Sequence, residues 1–187
     1  MQHIYQNIEG WFDFENFYSD MVKALPNNSH IVEIGSWKGK STSYLAVEII
    51  NSGKNIRFDC VDTWEGSTEH HLNSIDSKEN LYITFLKNTE SLRSVIYPIR
   101  TDSVRASALY NDKSLDFVFI DGAHEYENVK KDIEVWYPKV KDGGIISGHD
   151  YSLSWRGVVK AVDEAFIKNE QMNFHVVGGS CWVHKKP

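Results

Sequence analysis

Short apolar runs alternate with helical stripes along most of this chain. The runs are Ile31 to Ile34, Ile56 to Val61, Val95 to Ile99, Leu115 to Ile120 and Gly144 to Ser147. Each is too short for a buried helix, and each lacks the polar alternation of a half-exposed strand. They read as parallel strands covered on both faces. Helical spacing fills the gaps, from about Lys40 to Ile50, through Leu81, Tyr82, Phe85 and Leu86, and through Tyr126, Val129, Ile133, Trp136 and Val140. A further stripe, Val158, Val162, Ala165 and Phe166, follows the fifth run. Strands and helices in strict alternation fold into a parallel sheet with helices on its two faces.

The two ends depart from this rhythm. Phe14, Phe17, Tyr18, Met21, Val22 and Leu25 form one helical stripe that stops at Pro26-Asn27-Asn28, so residues 1–28 read as an N-terminal capping helix region. Phe174 to Val177, the turn Gly178-Gly179-Ser180 and Cys181 to His184 read as an antiparallel hairpin. The expected fold is α/β, a single-domain, Rossmann-like, doubly wound sheet of seven strands, mostly parallel with a C-terminal antiparallel hairpin. With no internal repeat, linker or charge block in 187 residues, positions 1–187 are expected to form one domain.

Charge and cysteine usage narrow the partners. Lys plus Arg number 20 against 26 Asp plus Glu, a net charge of -6, so no field attractive to nucleic acid or anionic lipid is expected. A small-molecule partner fits better. Cys60 lies inside an apolar run, where a free thiol is commoner than a bridge, and no apolar stretch approaches the roughly 20 residues needed to span a bilayer. With no leader-like pattern after Met1, the expected location is the cytoplasm. Oligomeric state is left open, a homodimer included.

In a doubly wound sheet the ligand lies beyond the carboxyl ends of the strands. After the first strand, Glu33-x-Gly35-x-x-x-Gly39 makes a tight turn that opens a helix. Ser36 and Trp37 occupy the place of the middle glycine that a pyrophosphate cradle needs, whereas Glu33 suits a ligand bearing an ammonium group. Asp62 follows the second strand, where a carboxylate can accept ribose hydroxyls, with Thr63 and Trp64 beside it. Thr101-Asp102-Ser103 follows the third and offers groups for an adenine ring. The structural alternative makes Gly35 and Gly39 a plain turn, Asp62 a loop cap and Asp102 or Ser103 the N-cap of a short helix.

Taken in order, these residues resemble the class I S-adenosylmethionine-dependent methyltransferases, over nearly the whole chain. Val61-Asp62-Thr63-Trp64-Glu65-Gly66, Phe119 to Tyr126 and Gly143 to Tyr151 resemble more narrowly the group of methyltransferase family 24-like enzymes that methylate sugars and small hydroxyl compounds. The resemblance implies S-adenosylmethionine as cofactor, with Glu33, Gly35 and Gly39 around its methionine part, Asp62 at the ribose, and Asp102 and Ser103 at the adenine; Ser36, Thr63 and Trp64 are further cofactor-binding candidates. Asp121 is expected to border the cofactor as well.

A hydroxyl acceptor must lose its proton or be bound by a metal as the methyl group arrives in line. Asp121 follows the fourth strand and His149-Asp150 the fifth. Asp121, His124 and His149 are the candidate catalytic groups, with His124 the preferred base and His149 the other. Resemblance to metal-assisted O-methyltransferases implies that Asp121 and Asp150, with His149, hold a divalent metal, Mg²⁺ or Mn²⁺; an imidazole in that set favours Mn²⁺ over Mg²⁺. Tyr126 and Tyr151 are candidates for orienting the acceptor, and Trp155 and Arg156 for touching it. The unpatterned stretch from Thr63 to Ile75 carries Glu65, Glu69, His70 and His71, which suit a loop closing over a hydrophilic substrate. The expected activity is O-methylation of a small polar hydroxylated substrate such as a sugar. The alternatives are a non-catalytic cofactor-binding or assembly domain, and a nicotinamide-dependent oxidoreductase, which the missing glycine disfavours.

Overall fold

A computed structural model describes residues 1–66, 78–167 and 173–187. Seven strands form one sheet: β1 (His30–Ile34), β2 (Arg57–Asp62), β3 (Ile96–Arg100), β4 (Leu115–Ile120), β5 (Val140–Gly148), β6 (Phe174–Val177) and β7 (Cys181–Lys185). Their order is β3-β2-β1-β4-β5-β7-β6. The first five are parallel to one another, and β7 pairs antiparallel with both β5 and β6. This is the expected Rossmann-like arrangement. Strand order reverses between β1 and β4, which opens a crevice at their carboxyl ends.

The helices are α1 (Glu15–Ala24), α2 (Lys40–Ser52), α3 (Lys78–Asn88), α4 (Ser103–Ser107), α5 (Tyr126–Trp136) and α6 (Arg156–Val162). Successive strand residues serve opposite faces. Ile31, Phe58, Phe117 and Phe119 pack with Tyr18 of α1, Leu45 of α2 and Phe85 of α3. Val32, Val61, Val118 and Ile120 pack with Ala106 of α4, Ile133 and Trp136 of α5 and Val158 of α6. Both cysteines are buried and free.

Three expectations need correction. β3 is an edge strand whose Tyr97 is exposed, so it is not covered on both faces, and Pro98 is tolerated there because an edge can lose an N–H. Val140, read as the end of a helical stripe, instead opens β5: Pro138 lies in the 3₁₀ turn Tyr137–Lys139, and a proline blocks continuation of the helix. Ala165 and Phe166 leave the α6 helix for a π-helical turn over Asp163–Ile167. Glu69, His70 and His71 lie outside the described residues.

Candidate active site

A cleft of about 1190 Å³ opens at the carboxyl ends of β1, β2, β4 and β5. Single drug-sized ligands occupy sites of roughly 300 to 1,000 Å³, so this cleft has room for two reactants. Gly35, Ser36, Asp62, Thr63, Trp64, Asp102 and Ser103 line one half of it. Asp121, His124, His149, Asp150 and Trp155 line the other.

In the first half, Gly35 has φ 88°, and a Cβ there would lie 2.1 Å from the Asp121 carbonyl oxygen, so only glycine lets β1 turn against the end of β4. Asp62 fixes the turn. Its Oδ2 accepts from the Ser36 and Trp37 amides at 2.9 and 2.8 Å, and its Oδ1 from the Trp64 amide at 2.7 Å. Trp64 Nε1 donates to the Trp37 carbonyl at 2.8 Å. Burial raises the Asp62 pKa, and these amide bonds oppose the rise. Most of its lone pairs therefore point at backbone and not at open space.

Glu33 differs from its sequence reading. It is 1% exposed and absent from the cleft wall. Tyr18, Ser36 and Ser41 hydroxyls donate to it at 2.9 Å each, and Thr42 donates as well. Burial raises its pKa while those four hydroxyls lower it. The carboxylate thus ties β1 to α1, α2 and the Gly35 turn. Gly39 sits at the N-cap of α2. Asp102 N-caps α4, accepting from the Arg105 amide at 2.9 Å, and Ser103 Oγ accepts from Trp136 Nε1 at 2.7 Å. Both still border the cleft.

The second half is built from two strand ends held in register, since the Asp121 amide donates to Ile34 O and the His149 amide to Ile120 O. One ligand atom from each of Asp121, His149 and Asp150 lies within 4.8 Å of the others. His149 Nδ1 is 3.3 Å from Asp150 Oδ1 and 3.9 Å from Asp121 Oδ1. His124 Nε2 is 2.9 Å from Asp150 Oδ2, and its ring stacks on Trp155 at 3.9 Å between centroids. Asp150 has φ 62°, and Trp37 and Trp64 also have positive φ, so three of the five non-glycine residues in this conformation among the described residues border the cleft. Such strain persists only where surrounding contacts enforce it.

The charges here are coupled. Burial pushes the Asp121 carboxyl up to about 7, against the pull of His149 and with the push of Asp150. Burial works against a charged His149, yet the Asp150 hydrogen bond and the charges of Asp121, Asp150 and Asp13 carry it up to about 9. Burial likewise opposes ionisation of Asp150, but both imidazoles hold its carboxyl well below the usual carboxylate range.

Residues 32–151 match the family model Methyltransf_24, described as a methyltransferase domain. The chain belongs to this methyltransferase-domain family. Among solved structures, the methyltransferase domain is similar to the O-methyltransferase NovP, at 18% identity and TM-score 0.69, over 93% of this chain and 79% of that one. It is also similar to the calicheamicin methyltransferase CalS11, at 14% identity and TM-score 0.65, over 91% of this chain and 76% of that one. A Sinorhizobium fredii protein named "Uncharacterized protein y4gI" is 26% identical over 157 residues, 83% of this chain; the chain spans 16% of that relative's length. The chain thus shares the fold of these methyltransferase structures, and its family is that of the methyltransferase domain.

Other residues fall differently from their sequence readings. Tyr126 and Tyr151 turn their hydroxyls to Glu164 and Asp163, at 2.6 and 2.7 Å, away from the cleft. Trp155 borders the cleft and Arg156 does not. Gly10, Trp11, Phe12, Asp13 and Asp132 border it without having been singled out in the sequence. Asp132 shares the apolar face of α5 with Trp136, and a carboxylate on such a stripe was the available signal. Burial pushes it up to about 6. Nothing in local spacing points to Asp13.

Proposed function

We propose that this domain transfers the methyl group of S-adenosylmethionine to a hydroxyl of a small polar acceptor, a sugar being the leading class. The observation that carries the reading is the two-part cleft, in which a turn shaped by Gly35 and Asp62 faces a cluster of Asp121, His124, His149 and Asp150. Ser36 borders the methionine part, Thr63 and Trp64 the ribose and Asp102 with Ser103 the adenine, while Glu33, Gly39 and Asp62 act by shaping the turn, Gly39 from behind the cleft wall against Thr89 and Phe85. CalS11 is described as a TDP-rhamnose 3'-O-methyltransferase, which supports a sugar hydroxyl as acceptor.

His124 is the base. Asp150 orients its ring as the third member of a catalytic triad orients its histidine, and a neutral imidazole takes the hydroxyl proton as the O–C bond forms. His149, carried up to about 9, is protonated at neutral pH and serves by charge. A divalent ion is a second reading, favoured by the spacing of Asp121, His149 and Asp150. Two carboxylate oxygens and one imidazole nitrogen fit Mn²⁺ or Fe²⁺ better than Mg²⁺. Such an ion would bind the acceptor oxygen and acidify its proton. The net charge of -6 supports a small-molecule acceptor over nucleic acid, and no helix among the described residues is long and apolar enough to cross a membrane. We take residues 1–187 as one domain acting in the cytoplasm, with a homodimer as one state open to it.

Calorimetry with S-adenosylhomocysteine tests the donor half: saturable one-to-one binding is expected, and no binding removes the proposal. Binding without transfer from radiolabelled S-adenosylmethionine to catechols or methyl glycosides, with or without Mn²⁺, would favour the non-catalytic alternative.

A further inference from the structure

The segment that precedes α1 crosses the mouth of the cleft and is fastened at three points. Glu9 pairs with Lys38 Nζ at 2.9 Å. Gly10, at φ 141°, lies so close to Trp37 that a Cβ would sit 3.0 Å from its ring, which lets the backbone pass flat against the indole. Asp13 Oδ1 is 2.9 Å from His149 Nε2, a nitrogen that Ser180 Oγ also reaches at 2.8 Å. Between these fastenings stands Trp11. Its ring stacks on Trp37 at 5.6 Å and 24°, yet the residue is 81% exposed, the second highest value among the large exposed apolar side chains of the described residues.

An exposed indole is costly in a loop with no use for it, and this one is held from beneath by a rigid partner. Trp37 is itself fixed, through its amide by Asp62 and through its carbonyl by Trp64. One face of Trp11 rests on that platform and the residue borders the cleft. Two residues on, Asp13 meets His149, so the segment that carries Trp11 runs from the Trp37 platform to the acceptor cluster along one cleft wall. We propose that Trp11 is a specificity-determining residue that binds the acceptor by stacking on the apolar face of a neutral, hydroxylated ring. The inference rests on the methyl-transfer reading of the same cleft. The electron-rich face of an indole accepts the C–H face of a pyranose or the plane of a phenol. A phosphate replacing the hydroxyl next to the reacting one would instead meet the carboxylates of Asp13 and Asp150, so acceptors phosphorylated at that position are disfavoured.

The test uses protein labelled with 5-fluorotryptophan and loaded with S-adenosylhomocysteine, the Trp11 signal being assigned by its loss in Trp11→Phe. Methyl α-D-glucopyranoside, catechol and glucose 1-phosphate are titrated separately. The expected result is a saturable shift of the Trp11 signal with the glucoside or with catechol, which also tells a sugar from a phenol, and a weaker one with glucose 1-phosphate. Trp11→Ala should weaken that probe about tenfold and Trp11→Phe by much less, with S-adenosylhomocysteine affinity unchanged in both. Absence of a shift with both neutral rings overturns the proposal, as does a shift with glucose 1-phosphate alone or an unchanged probe affinity in Trp11→Ala. Loss of S-adenosylhomocysteine binding by the unmodified protein, read by calorimetry on the same sample, is instead the failure of the methyl-donor reading.

Discussion

The two halves of the cleft use acidic residues in opposite ways. On the donor side, Glu33 receives four hydroxyl groups and Asp62 three amides, so both carboxylates are spent on holding the turn. On the acceptor side, Asp121, His149 and Asp150 share a few contacts, and part of each side chain faces the cleft. The lesson concerns what an acid near a ligand is for. A buried charge that is fully paired makes a rigid mould, whereas a cluster whose charges compete can still exchange protons or take a ligand.

The comparison breaks most visibly at Glu33. Glu33→Leu should cost roughly 4 kcal/mol in urea denaturation, because it strands four buried hydroxyl groups, and donor binding should fall with it. A cost under about 1 kcal/mol would mean that Glu33 is not the clamp described.

A third group sets the acid sensitivity that neither half explains. His184 is 0% exposed, its two ring nitrogens have no hydrogen-bond partner among the described residues, and burial alone pushes its pKa down to about 4. The unfolded chain takes up this proton near pH 6.5 and the folded chain near 4, so stability is complete above about 6.5 and falls as pH drops through that window. Because Asp121 and Asp132, both raised, gain stability over the same window, the His184 component of about 3 kcal/mol is read as the difference between wild-type and His184→Phe denaturation curves, the phenyl ring keeping the stack on Phe166.

Smaller changes sharpen the contrast. Ser36→Ala removes one of four donors to Glu33 and should cost about 1 kcal/mol. Asp150→Asn keeps its shape, and asparagine tolerates positive φ, but the charge that both imidazoles hold is lost, so stability should fall by roughly 1 to 2 kcal/mol, less than for Glu33→Leu. S-adenosylhomocysteine affinity should not change, while uptake of Mn²⁺, read as loss of the free six-line aqua signal in electron paramagnetic resonance, should be weaker than in the wild type. A matched loss of stability and donor affinity in Asp150→Asn would erase the distinction between the halves.

Much of the scaffold was legible because apolar period decides it: Leu115–Ile120 was read to the residue, and the runs around β1 and β2 to within one. Errors arose where context outweighs period. Tyr97 reads like a covered strand residue because only sheet order says that β3 is an edge. For the site, the sequence placed Asp62, Asp121, His149 and Asp150 at strand ends, and the structure gathers them at one cleft. It did not show that Glu33 faces inward, since an acid beside a glycine turn looks alike whether four hydroxyl groups or a ligand meet it. Nor could spacing bring Asp13 to His149, which lies 136 positions away.

The strand order carries one consequence for how this domain comes into being. β7 follows β6 in the chain yet lies inside it in the sheet, against β5. Gly148 is pressed so closely to Trp182 that a Cβ would lie 2.7 Å from the indole, and Ser147 Oγ donates to Trp182 O. The backbone that presents His149 and Asp150 is therefore buttressed by residues 181–185. During synthesis the donor side can assemble from β1, β2 and their helices long before that buttress leaves the ribosome. A nascent chain should thus acquire its grip on the methyl donor first and its chemistry last.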